Sequence, residues 1–190
     1  MEADWSVEIG EDLPRIVVPW AAEGRRFCDL RSHPEDAATL PEAQSYPVLC
    51  QALMDLNAPS SRIFTSKCDV WQVGEGDLDW MEMESTVEDT KIGLTCYIDL
   101  VRRNELAFAP FSQQEEWLRN VTAALQAVPT RFARADLILR QLISHGDDGK
   151  DRDGFAATFY LTGCGRDEKA ALHNWEMALA AGVPVLIRAA

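Results

Sequence analysis

Three stretches of the chain repeat apolar residues at the helical interval. Residues 46–57 align Val48, Leu49, Ala52, Leu53 and Leu56; 112–128 align Trp117, Leu118, Val121, Ala124, Leu125 and Val128; 167–181 align Ala171, Leu172, Trp175, Ala178 and Leu179. Each predicts an amphipathic helix with one stripe to bury. Pro47 suits a first helical turn, and "SQQE" at 112–115 has the form of a capping box, with Ser112 accepting from the Glu115 amide and Glu115 reaching back. A proline turn follows each stripe: "NAPSS" (57–61), "AVPTR" (127–131) and "AGVPV" (181–185).

Between the helices the period shortens to two. Segments 62–73 with 91–102, and 132–144 with 154–163, predict strands joined in pairs by acidic, glycine-bearing loops, most simply as antiparallel hairpins. "RIVVPW" (15–20) predicts a further strand, and "PVLIR" (184–188) a possible short one. The expected fold class is therefore α+β: a largely antiparallel sheet with helices on one face. Residues 1–190 form a single domain in this reading. It comprises an acidic N-terminal tail at 1–12, αββ units at 40–102 and 112–163, and a C-terminal helix with the possible strand at 167–190.

The two αββ units resemble each other. "SKCDVW" (66–71) leads to "LTCYIDL" (94–100), and "ARADLI" (133–138) leads to "ATFYLTG" (157–163), so a basic-x-Asp strand precedes a Thr-x-Tyr strand both times. The pattern reads as an internal pseudo-repeat, of the kind found in a ferredoxin-like or related sandwich. Strand alternation then sorts the side chains into two faces. Cys68, Val70, Leu94, Cys96, Ile98, Leu100, Ala135, Leu137, Leu139, Ala157, Phe159 and Leu161 form a core face. Lys67, Asp69, Trp71, Thr95, Tyr97, Asp99, Arg134, Asp136, Ile138, Arg140, Thr158, Tyr160 and Thr162 form the other. That second face mixes aromatic rings, hydroxyls and both signs of charge, a lining suited to a polar ligand or a partner surface, and also to a solvated sheet stabilised by cross-strand pairs. All of it except Ile138 is the candidate binding site.

Composition narrows the partners. The chain has 190 residues, 47% hydrophobic and 26% charged, enough for one well-filled core, and a net charge of −13 that would repel a nucleic-acid backbone. Its Arg pairs, "GRR" (24–26) and "VRR" (101–103), are too short to make a basic stripe. A protein partner, basic if charge selects it, or self-association is expected, with no nucleic acid and no membrane. No apolar run approaches the roughly 20 residues of a bilayer span, and the start lacks the order of a signal peptide, so the expected location is cytoplasmic. Five widely spaced cysteines without a C-x-x-C pair argue against a disulfide framework and a zinc cluster, and no cofactor is expected.

Several motifs carry little chemistry. "DRDG" at 151–154 matches the middle of a calcium loop, but Gly149 and Tyr160 occupy its first and twelfth ligand positions. The 74–90 loop concentrates acidic residues around Trp80, Met81 and Met83, a plausible docking element for a basic protein. His33, His145 and His173 lack a second metal-type ligand at useful spacing. Gly163 and Gly165 precede a helix N-terminus, where amides can hold an anion, but a tight strand-to-helix turn explains them as well. Cys164 and His173 make a poor local nucleophile pair. Asp69 and Asp136 could face each other across a pseudo-twofold axis and raise one pKa, although Lys67 and Arg134 favour plain ion pairing. The sequence carries no strong enzyme signature and no catalytic residue is assigned. It favours a non-catalytic interaction module; the alternative is a small-molecule binder or enzyme using the polar sheet face between the repeats.

Overall fold

The computed structural model describes residues 1–24, 27–74, 90–146 and 149–190. The acidic loop expected at 74–90, with Trp80, Met81 and Met83, falls almost wholly outside the described residues, as do Arg25, Arg26, Asp147 and Asp148. The described elements are strands β1 (Glu2–Glu8), β2 (Ile16–Val18), β3 (Ile63–Gly74), β4 (Ile92–Arg102), β5 (Ala133–His145) and β6 (Asp151–Gly165), and helices α1 (Pro41–Gln44), α2 (Pro47–Asn57), α3 (Phe111–Gln126) and α4 (Glu168–Ala189). Short 3-10 turns occupy Pro34–Thr39 and Asn104–Phe108.

The fold is α+β, built on one open, mixed sheet in the order β1-β5-β6-β4-β3. β3 with β4, β4 with β6, and β5 with β6 pair antiparallel, whereas β1 and β2 both run parallel to β5 along its outer edge. Residues expected on the core face do bury there: Ile98, Leu100, Leu137, Leu139, Ala157, Phe159 and Leu161 are sealed by Leu49, Leu53 and Leu56 of α2, Leu118, Val121 and Leu125 of α3, and Trp175 and Leu179 of α4. Each fully buried Leu, Ile or Phe contributes roughly 1.5–3 kcal/mol, so the three helix stripes account for how the layers adhere.

Three expectations are corrected. Residues 1–12 are not a tail: Glu2–Glu8 form a strand whose Ala3 and Trp5 pack on the core, with Met1 itself buried and its amino group donating to the Val128 carbonyl. The alternation in "EADWSVE" has the strand period, and the density of acids concealed it. The segment 184–188 is not a strand. α4 continues through Gly182 and Pro184 because burial of Val183, Val185 and Leu186 outweighs an interior proline that costs about 3 kcal/mol. That 22-residue helix is long and apolar enough to cross a membrane by length and composition alone, but 44% of its most apolar window is packed inside the fold.

The capping box does not form either. α3 starts one residue before Ser112, leaving Ser112 inside the first turn, and no side chain caps the helix. Buried Gln114 ties down the entry to the helix instead, its amide donating to Leu106 and Ala109 carbonyls and its oxygen accepting from Arg102. Beyond the candidate residues, the sheet face opposite the helices turns apolar. Val101, Leu142 and Ala156 continue the alternation of Asp99, Arg140 and Thr158, and they bury a second small cluster with Ile16, Val18, Phe64 and Ala107.

Candidate functional site

Strand register aligns the candidate residues in rows across the sheet. Trp71 stands opposite Thr95, Thr95 opposite Thr162, and Thr162 opposite Arg134. The next row reads Asp69, Tyr97, Tyr160, Asp136 and, on β1, Asp4. Asp99, Thr158, Ile138 and Ser6 make the third, and Arg140 lies beside Glu8 in the fourth. All twelve candidate binding residues therefore come from four neighbouring strands. A bulge between Thr65 and Cys68 displaces Lys67, which lies exposed beside the last two rows.

The face is concave. One wall is β1, whose Asp4, Ser6 and Glu8 stand along a hollow of about 490 Å3 floored by Thr95, Ile138, Tyr160 and Thr162 and reaching Trp71. The other wall is a strap, residues 14–20. β2 anchors it on Leu142–Ser144 of β5, and it crosses to the β3 bulge, where Trp20 donates its indole N–H to the Ser66 carbonyl (3.0 Å) and Ser66 donates its hydroxyl to the Val17 carbonyl (3.3 Å). Beneath the strap lies a second hollow of about 290 Å3, lined by Arg15, Trp20, Lys67, Tyr97, Asp99 and Thr158 among others. Arg140 and Tyr160 border both.

Two buried charges meet here. Asp99 is 8% exposed and accepts a hydrogen bond from the Thr158 hydroxyl at 2.7 Å. Burial pushes its carboxyl up to about 6, while the Thr158 hydrogen bond and the charges of Arg140 and Lys67 hold it back. Arg140 is 7% exposed and pairs through Nη2 with Glu8 at 3.0 Å. Its Nε and Nη1 have no hydrogen-bond partner among the described residues, an arrangement that ordinarily costs more than 1 kcal/mol per group. Burial raises the Tyr97 and Tyr160 hydroxyls above their ordinary value, the latter partly offset by Arg140. Their rings, 6.0 Å apart, continue to Trp71 at 6.2 Å, giving a three-ring ladder. Thr95 and Thr162 share a buried hydroxyl–hydroxyl hydrogen bond at 2.8 Å.

The proposed Asp69–Asp136 repulsion does not arise. The two tyrosines separate them, and three inter-strand steps put their backbones roughly 14 Å apart. Asp136 is held by Arg134 at 2.9–3.1 Å, and Asp69 accepts from the Val70 amide at 2.8 Å. Gly163 and Gly165 lie within β6 and serve packing: a Cβ on Gly163 would stand 2.2 Å from the Trp175 backbone nitrogen, and one on Gly165 2.5 Å from that of Ala171. Asp167 caps α4, accepting from the Ala170 amide at 2.8 Å. Cys164 is fully buried, its thiol pushed up to about 11 by burial, and His173 is exposed, so the pair has no nucleophilic use.

In the second hairpin loop, His145 meets Asp151 at 2.6 Å and Arg152 reaches Glu105 at 2.7 Å, which commits those side chains to ordinary pairs. Among the described residues no group of three His, Cys, Asp or Glu could hold a metal ion. Sequence reasoning missed the β1 wall; it read 15–20 as a strand, which β2 (Ile16–Val18) is, but not that this segment straps the candidate face. The signal for the first was the spacing of Glu2, Asp4, Ser6 and Glu8; for the path of the strap across the face, local pattern offers none. Comparison with protein-family models, with curated proteins and with solved structures finds no match for this chain.

Proposed function

We propose that this chain is a small-molecule-binding protein that seats a compact polar ligand with a flat apolar part on the concave face of its sheet. What chiefly supports this reading is a pair of adjoining hollows that meet at a buried guanidinium, Arg140, and at Tyr160, with a buried carboxylate, Asp99, lining the second. Withdrawing charge from water costs several kcal/mol, and buried ionisable groups gathered in a cleft are characteristic of functional sites. Trp71, Tyr97 and Tyr160 supply flat faces for the apolar part.

The matching positions of Asp69 and Asp136, and of Tyr97 and Tyr160, support a reading of the two αββ units as copies of one ancestral unit, with the ligand seated at their junction. A hollow walled by β1 and the strap suits a metabolite better than a protein surface, which makes the interaction module the weaker reading. The test is thermal melting against a panel of metabolites, since a ligand that binds only the folded state raises the melting temperature by mass action. Stabilisation by a compound, lost in Trp71→Ala and Tyr160→Ala, supports the proposal; a panel that stabilises only as it does those two variants contradicts it.

A further inference from the structure

The second hollow has a charge opposite to that of the whole chain. Three cationic side chains, Arg15, Lys67 and Arg140, stand around it against one carboxylate, Asp99, in a protein whose net charge is −13. Lys67 and Arg15 lie at the rim, with the Lys67 ammonium 5.8 Å from the Trp20 ring centroid. Arg140 lies at the base, and Glu8 engages only Nη2, at 3.0 Å. Nε and Nη1 are buried at the base of the hollow and have no hydrogen-bond partner of good geometry among the described residues, the Tyr160 hydroxyl being the other group that interacts with the guanidinium. Guanidinium N–H groups accept no hydrogen bond and only donate, so the atoms that complete this site are acceptors. A local positive lining within a strongly acidic chain selects an acceptor that carries its own negative charge.

Resting on the small-molecule reading above, we infer that the ligand presents an oxyanion, a carboxylate or a phosphate ester, to the free guanidinium nitrogens of Arg140 in the hollow beneath the strap. The rest of the ligand then extends past Tyr160, which borders both hollows, toward the larger one. Lys67 and Arg15 steer the anion in from the rim, and Glu8 fixes the guanidinium plane while withdrawing part of its charge.

Matched probes test the inference: benzoate and phenyl phosphate against benzamide, which has the shape of benzoate without its charge. Affinities are read by isothermal titration calorimetry at 150 mM salt. The expected result is binding of the two anions and not of benzamide. In Arg140→Gln the dissociation constants rise about tenfold or more, the effect of one charge-assisted hydrogen bond. In the rim variant Lys67→Gln, at an exposed position, they rise about threefold. In Glu8→Gln they fall, because the guanidinium is no longer neutralised.

Equal binding of benzamide and benzoate, or unchanged anion affinity in both Arg140→Gln and Lys67→Gln, would overturn the oxyanion assignment while leaving the ligand-binding reading standing. Failure of all three probes, together with a neutral metabolite retained by the purified protein, would overturn it in the same way. Failure of all three with no compound retained would remove both readings.

Discussion

The hydroxyl of Thr158 donates to the carboxylate of Asp99 at 2.7 Å across the two central strands, with both residues almost wholly withdrawn from water. This bond partly compensates a carboxylate that burial would otherwise drive further toward its neutral form. Around it stand Lys67 from β3, Tyr97 from β4, Arg140 from β5, Tyr160 from β6 and Arg15 from the strap.

A pH dependence follows. The folded-state pKa of Asp99 is raised to about 6 from an ordinary 3.8, so the folded protein binds a proton that the unfolded chain has already released between those values. Stability from this group is full below about pH 4 and declines as pH rises through 6, by an amount on the order of 2–3 kcal/mol. Asp99→Asn is expected to flatten that decline and to be the more stable protein at pH 7.5, while Thr158→Val extends the decline above pH 6. Urea unfolding at pH steps from 4 to 8 measures both; an Asp99→Asn variant with the wild-type pH slope would contradict the assignment.

The first strand is structural. Removing residues 2–8 exposes the β5 edge, strips Glu8 from Arg140 and uncovers the core beneath Ala3 and Trp5. The truncated chain is expected to unfold at a markedly lower urea midpoint, with a loss of several kcal/mol summed over the lost burial. A dispensable acidic tail would instead leave the midpoint unchanged.

Gly163 is fixed by the approach of α4 to β6. In Gly163→Ala the new methyl has no room against the Trp175 backbone, and an overpacked site of this kind costs about 3 kcal/mol or more because backbone must move. Chemical denaturation checks it. A loss under about 1 kcal/mol would mean that helix and strand can part without disturbing the core.

How far this molecule can be read from its sequence depends on the range of the interactions. The α2, α3 and α4 stripes and the four long strands announce themselves because their apolar spacing is local, and the second face could be listed because alternation along β4, β5 and β6 is unbroken. Ser112 misled because a cap depends on where the helix begins, and that is settled by Gln114 reaching Leu106 and Arg102. Pro184 misled because local propensity argues for a break while Val183, Val185 and Leu186 bury on the core. The Arg140–Glu8 pair and the strap over Asp99 join residues more than a hundred positions or several strands apart, and no periodicity encodes them. The concavity that turns a polar face into a candidate site therefore lay beyond local reading, even though its residues did not.

Exposed rings on the face separate stability from binding. Trp71 is 38% exposed, so Trp71→Ala is expected to cost about 1 kcal/mol or less of stability while weakening any ligand by at least several-fold, the reverse of a core substitution. Parallel melts with and without a stabilising compound distinguish the two effects. Equal shifts in both melts would assign Trp71 to packing alone.

The most direct measurement of the central claim is native mass spectrometry of the gently purified protein beside its Arg140→Gln variant, both expressed in the source cells. The account predicts that the wild-type protein carries extra mass of metabolite size, released on denaturation as an anionic compound, and that the variant does not. Wild-type protein that arrives consistently at the bare chain mass, or a retained compound equally abundant in the variant, would contradict it.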